Sequence, residues 1–125
     1  MDTAGGYKLQ AVGVCWDVVR VPRHIGVRAL EVLGTRSGAV IEDPNEPALY
    51  WFVPTGAAAV WDIPGTRPLG LNQHLVVPPA RRVRGPGPHW RICPADGELI
   101  TDTVALRAAV QDAMATPRAP LTERT

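Results

Sequence analysis

Asp17 is the first residue whose type and position could do chemistry, because it lies inside the apolar run GVCWDVVRV, residues 13–21. A strand that carries acids to a catalytic metal normally presents two carboxylates on one face. Asp17 is the only carboxylate between residues 13 and 26. It is therefore a catalytic candidate without its partner, and the alternative is that it hydrogen-bonds a turn or pairs with Arg20 or Arg23.

The second candidate is a basic segment in the second half of the chain. Four arginines, a histidine and a tryptophan fall between residues 81 and 91, namely Arg81, Arg82, Arg84, His89, Trp90 and Arg91. Guanidinium groups bind phosphate through paired hydrogen bonds, and an indole can stack on an unpaired base. We predict that the arginines contact phosphate and that His89 and Trp90 contact bases. The competing interpretation is a solvated loop with Trp90 packed in the core.

The remaining reactive side chains form no pattern that predicts a metal, a cofactor or a nucleophile. Three histidines and two cysteines are scattered singly, at His24, His74, His89, Cys15 and Cys93, whereas zinc needs three or four converging ligands. Cys15 is predicted to be a small buried hydrophobe. The stretch TGAAAV (55–60) resembles a phosphate-binding turn but lacks the lysine of a P-loop.

The elements that must position these residues follow from periodicity and turn chemistry. Valine-rich residues 11–20 predict a buried strand. Pro22 suits the first turn of a helix whose apolar spacing continues to a C-cap at Gly34. Residues 39–42 and 48–53 predict a hairpin, because the sequence DPNEP between them favours a turn.

The second half of the chain predicts a further pair of strands and a final helix. Residues 57–61 favour a short helix, and residues 74–78 and 89–93 favour two strands that pair with each other. Thr101 or Asp102 is expected to cap the last helix. The sum predicts an α+β fold, with a small mixed sheet of about five strands and two main helices.

The composition describes a globular chain with little net charge. Of 125 residues, 46% are hydrophobic and 20% charged, and the net charge is +1, which argues against overall disorder and against a global field that attracts nucleic acid. We predict a flexible lead-in at 1–10, a single domain at 11–115 and a flexible tail at 116–125. No signal peptide or membrane-spanning stretch is visible, so we expect a cytoplasmic protein with no membrane partner.

Three longer stretches carry a family resemblance. They read WDVVRVPRHIGVRALEVLG (16–34), SGAVIEDPNEPALYWFVPTG (37–56) and LVVPPARRVRGPGPHW (75–90). Their order resembles the bifunctional DNA primase/polymerase N-terminal family, whose members are archaeo-eukaryotic-primase-like domains common in high-GC bacteria. The arginine bias of this chain, in which Lys8 is the only lysine, is also typical of a high-GC bacterial genome. The resemblance covers residues 13–93.

The resemblance also implies that catalysis has been lost. Polymerising members use an Asp-x-Asp or Asp-x-Glu strand, a histidine on a following strand and a third acid to hold two metal ions. Asp17 matches the first acid, but Val19 stands at the second position and Arg20 beside it would repel a metal. Residues 48–53 contain no histidine, and Asp62 is the remaining candidate acid. The implied function is therefore non-catalytic binding of single- or double-stranded DNA, or of a replication partner.

Two other functions stay open at this point. Four tryptophans, thirteen prolines and near-neutral charge favour a protein-interaction module, with an exposed apolar patch at Trp51 or Trp61 or a homodimer formed through an edge strand at 48–53. The enzymatic alternative is a nucleotidyltransferase that uses Asp17 and Asp62 with one metal ion.

Overall fold

The computed structural model describes residues 6–115, which form an α+β fold, as predicted. Within this range there are seven strands: β1 (Lys8–Ala11), β2 (Asp17–Pro22), β3 (Val40–Asp43), β4 (Ala48–Val53), β5 (Arg67–Leu69), β6 (His74–Val77) and β7 (His89–Ile92). The α-helices of the same range are α1 (Arg23–Leu33), α2 (Ala57–Val60) and α3 (Thr103–Ala115). No helix among these residues is both long and apolar enough to cross a bilayer.

The strands form two sheets. The larger has the order β5-β2-β4-β3-β7, and the smaller pairs β1 with β6. Every pairing between these strands is antiparallel, so the predicted mixed sheet is antiparallel instead. The predicted hairpin is confirmed, because β3 and β4 pair with each other across the turn at 44–47.

The larger sheet is buried on both faces because its strands carry apolar side chains in both directions. On one face Val19, Leu49 and Trp51 form a core with helices α1 and α3. Helix α1 approaches closely at Gly26, where an added Cβ would lie 2.8 Å from Leu49 Cδ1. On the other face, Phe52 and its apolar neighbours pack beneath the smaller sheet.

The helix boundaries follow local capping chemistry. Helix α1 ends at Leu33, and Gly34 adopts φ +54° with its N–H donating to the Leu30 carbonyl, as the predicted C-cap requires. Asp102 caps α3, since its Oδ2 accepts the Ala105 N–H at 3.0 Å. Thr101 is buried instead and accepts the Gly38 N–H at 2.8 Å.

The predicted strand at 11–20 is wrong in its first half. Strand β2 begins only at Asp17, because the chain turns before it: Gly13 adopts φ +91° and its N–H donates to the Trp16 carbonyl at 2.7 Å. Residues 12–16 form a loop between β1 and β2. Cys15 lies exposed in this loop, so its predicted burial is also wrong.

The predicted pairing of residues 74–78 with residues 89–93 is wrong as well. Strand β6 pairs with β1, while β7 pairs with β3, opposite Ile41 and Glu42. Residues 8–10 of the lead-in predicted at 1–10 belong to β1. The predicted tail at 116–125 lies outside the described residues.

Candidate functional site

Asp17 is a buried structural carboxylate. It is 3% exposed, and its Oδ2 accepts the N–H of Gly56 at 2.8 Å and of Ala58 at 2.9 Å. These groups belong to the start of α2, where backbone N–H groups lack partners within the helix. The turn that resembles a phosphate-binding loop therefore already holds an anion, which is the carboxylate of Asp17. A neighbouring cavity of about 390 Å³ is lined mainly by apolar and backbone groups around this contact.

Asp62 does not join Asp17 in a site. Its side chain is 73% exposed, and its Oδ1 lies 2.6 Å from Nη2 of Arg107 on α3. The two candidate acids thus have different partners and different environments. Across residues 6–115, no three His, Cys, Asp or Glu side chains are grouped closely enough to hold a metal ion.

Trp90 is a core residue, so its predicted contact with bases is wrong. It is 4% exposed, its ring stacks on Phe52 with centroids 6.0 Å apart, and its Nε1 donates to the Pro79 carbonyl at 3.0 Å. The register of β7 causes this burial, because Trp90 lies opposite Ile41 on the face covered by the smaller sheet.

Arg91 and His89 belong to a cluster around Glu42 rather than to a phosphate site. The Glu42 side chain is 10% exposed and pairs with Arg91 Nη1 at 2.9 Å and Arg23 Nε at 2.7 Å. His89 Nε2 lies 3.8 Å from the same carboxylate. Burial alone would raise the pKa of Glu42, but the hydrogen bonds from Arg23 and Arg91 lower it below its ordinary value. Arg91 is thus already paired with a carboxylate.

Residues 79–88, called the arginine segment below, are held at several points. The Pro79 carbonyl accepts the N–H of Arg82 at 3.0 Å, and the Arg82 carbonyl accepts the N–H of Trp90 at 2.8 Å. Tyr7 Oη donates to the Pro88 carbonyl at 2.7 Å. The Arg82 guanidinium lies over the Tyr7 ring, 5.4 Å from its centroid. Contacts from outside the segment thus fix both of its ends.

Arg81 and Arg84 are the two cations that this segment leaves exposed. Within the described residues, neither of them forms an ion pair with a carboxylate. Arg82 is half-buried, and its Nε is buried with no hydrogen-bond partner among residues 6–115. Of the six predicted nucleic-acid contacts, Arg81 and Arg84 are therefore the two that are exposed and without an ion pair to a described carboxylate.

A cleft that sequence reasoning missed lies between the larger sheet and β6. This sheet groove has a volume of about 260 Å³. Its polar lining consists of Arg20, Asp43, Glu46, Tyr50, Arg67 and His74, over apolar residues that include Ile41 and Leu75. Arg20 on β2 lies directly opposite Arg67 on β5 and Tyr50 on β4, so the three side chains form one row on the sheet.

The positive charges of Arg20 and Arg67, at one side of the sheet groove, are only weakly neutralised by the carboxylates that line it. Arg20 Nε donates to Tyr50 Oη at 3.2 Å, and Arg20 Nη2 lies 3.5 Å from Glu46, whose side chain is 74% exposed. Such an exposed ion pair contributes little to the free energy of folding. Arg67 pairs with no carboxylate of the described chain. The sequence signal for this site was Arg20 itself, a cation flanked by valines in a strand.

The structure does not place an interaction surface where the sequence predicted one, at Trp51, at Trp61 or along residues 48–53. Strand β4 is paired on both sides, by β2 and β3, so residues 48–53 cannot form a dimer through a free edge. Trp51 is fully buried and Trp61 is 6% exposed, with its Nε1 donating to Thr66 Oγ1 at 2.7 Å. Both tryptophans pack against the helices rather than against solvent.

No family model, no curated protein and no solved structure matches this chain. The resemblance to the primase/polymerase family therefore stays a prediction from the three quoted stretches.

Proposed function

We propose that this protein is a non-catalytic nucleic-acid-binding domain that contacts phosphates through Arg81 and Arg84. The observation that carries the proposal is that both side chains are exposed and form no ion pair with a described carboxylate. They lie on a segment whose two ends accept hydrogen bonds from Trp90 and Tyr7. Cations on an ordered segment lose less conformational entropy on binding than cations on a mobile one. The order of the motifs supports a primase/polymerase-like origin, with DNA or a replication partner as the target.

The proposal implies weak and sequence-independent binding. Two guanidinium groups reach phosphate but no exposed aromatic residue of this segment reads a base, since Trp90 is buried. A net charge of +1 adds no long-range attraction. The salt dependence of binding should therefore be shallow, because its slope is proportional to the number of phosphates contacted and that number is small.

We expect the Arg81→Ala/Arg84→Ala variant to reduce the salt dependence of binding by about two units in the slope of log K against log [salt], because each phosphate contact contributes about 0.9. The measurement is fluorescence anisotropy of labelled single- and double-stranded oligonucleotides, titrated with protein at several salt concentrations. Low salt is included because it screens charge least.

The matched control is Arg36→Ala, which removes an exposed arginine that donates to the Val32 carbonyl at the end of α1. We expect this variant to bind as the parent does. If the double variant binds with the parent's affinity and slope, the arginine segment is not the binding site. If the parent binds neither oligonucleotide at low salt, the proposed function is wrong.

A further inference from the structure

We propose that the sheet groove is a second binding site, whose lining does not include Arg81 or Arg84, for a small phosphate monoester that carries an amino group at its other end. This site is independent of oligonucleotide binding. It is carried by the arrangement of two arginines, a tyrosine and two carboxylates around one cleft.

The arginine side of the groove is suited to a phosphate group. Arg20 and Arg67 are directly opposite each other on neighbouring antiparallel strands, where the Cβ atoms of a pair are about 5 Å apart and like charges repel. A dianionic phosphate between the two guanidinium groups would replace this repulsion with charge-assisted hydrogen bonds. His74, on the facing strand β6, lines the same cleft and offers a further hydrogen-bond donor.

The turn side of the groove is suited to an amino group. Asp43 lies at the end of β3 and Glu46 lies in the turn that follows. Asp43 Oδ1 accepts the Asn45 N–H at 3.0 Å, which leaves Oδ2 to accept a hydrogen bond from a ligand. Among the described residues, the Glu46 carboxylate contacts one charged group, Nη2 of Arg20 at 3.5 Å. A phosphate bound to Arg20 would release this carboxylate toward the amino group.

The floor and size of the groove limit the ligand to a small molecule. Ile41, Leu69 and Leu75 form an apolar base, which excludes water and strengthens polar contacts above it. The volume of about 260 Å³ is close to the lower end of small-molecule sites, about 300 Å³. The cleft therefore accommodates a single small phosphate ester rather than a polymer.

The test is isothermal titration calorimetry of the full chain with three probes: inorganic phosphate, O-phosphoethanolamine and AMP. The last two share a phosphate monoester and an amino group, and they distinguish an aliphatic ligand from a nucleotide. We expect at least one of them to bind about tenfold more tightly than inorganic phosphate, because its amino group adds a contact to a carboxylate.

Two variants locate the contacts. Arg67→Ala changes an exposed residue and should weaken the better ester by about tenfold. Asp43→Asn keeps the oxygen that accepts the Asn45 N–H, so it should weaken the amino-bearing ester while leaving inorganic phosphate unchanged. The control is Arg81→Ala/Arg84→Ala, which should leave the binding of all three probes unchanged.

The outcomes separate this site from the proposed function. If none of the three probes binds, or if Arg67→Ala binds the esters like the parent, the groove is not a phosphate site, whatever the oligonucleotide titration shows. If inorganic phosphate binds as tightly as both esters, the recognition of an amino group is wrong. Ester binding that is lost in Arg67→Ala supports the inference even where oligonucleotides do not bind.

Discussion

Asp17→Ala is expected to lower the free energy of unfolding by about 3 kcal/mol, because it leaves two buried or partly buried N–H groups without an acceptor and removes charge-assisted hydrogen bonds. Those groups are the N–H of Gly56 and of Ala58, which both donate to Asp17 Oδ2. Urea denaturation followed by circular dichroism measures the change.

The matched variant Asp17→Asn separates the hydrogen bonds from the charge. Both N–H groups donate to a single oxygen of Asp17, and asparagine retains one side-chain oxygen. Asp17→Asn should therefore cost about 1 kcal/mol, the difference between charged and neutral hydrogen bonds. An alanine variant as stable as the parent would contradict the capping role. This capping role explains why the strand carries a single acid: its carboxylate accepts the hydrogen bonds of a turn and holds that turn in the fold.

Glu42→Gln is expected to lower the free energy of unfolding at pH 7 by about 2 kcal/mol, less than a fully buried pair because Arg23 and Arg91 are partly exposed and screened by solvent. Their side chains are 49% and 34% exposed, whereas that of Glu42 is 10% exposed. The substitution removes the charge that both guanidinium groups share. Urea denaturation at pH 7 tests this expectation.

The same carboxylate predicts the direction of a pH effect. The pKa of Glu42 is lower in the folded protein than its ordinary value of 4.5, so its contribution is present above that pH. Stability from this group is lost as pH falls through the lowered folded-state pKa. The parent should therefore lose more stability than Glu42→Gln between pH 7 and pH 3. Glu46→Gln is the control, because its carboxylate is exposed and its removal should change little. An equal loss of stability in parent and Glu42→Gln would argue against the cluster.

Local chemistry was enough to predict the hairpin and the first helix. Residues 39–53 contain two apolar strands joined by a proline- and aspartate-rich turn, and the helix after Pro22 ends at a glycine. Each of these signals lies within a few residues of the structure that it specifies. Signals that lie close together in the sequence were therefore sufficient to predict these two elements, and the structure confirms both.

The pairing of distant strands could not be predicted in the same way. Strand β1 reads KLQA and all four residues are exposed, so it has no apolar pattern to mark it. Strand β5 has three residues and contains Pro68, which ordinarily argues against a strand. Strand β5 pairs with the edge of the longer strand β2, and β1 pairs with β6, which is as short as β1 itself. Such pairing partners are visible only once the sheets are assembled.

The Glu42 cluster and the sheet groove were not predicted from the sequence for a related reason. The basic segment was recognised because its arginines are close in sequence, yet Glu42, which binds Arg91, lies far away on β3. Arg20 and Arg67 are also distant in sequence, and they meet only through the register of β2 with β5. A cluster of charges within one segment is therefore visible in the sequence. The distant carboxylates that pair with such charges, and clusters that form across neighbouring strands, are not.

The pairing of β1 with β6 has a consequence for motion. Lys8 pairs with Val77, so this small sheet closes a long loop and has only one partner strand for each of its members. Strand β1 is exposed along its whole length, whereas Leu75 of β6 belongs to the buried core. Few buried contacts in β1 and a single partner strand favour local opening below the energy of global unfolding. We expect the amides of β1 and β6 to exchange with deuterium faster than those of β2 and β4, as measured by mass spectrometry. Because β6 forms one side of the sheet groove, the cleft would open by local unfolding of this sheet while the helical core stays folded.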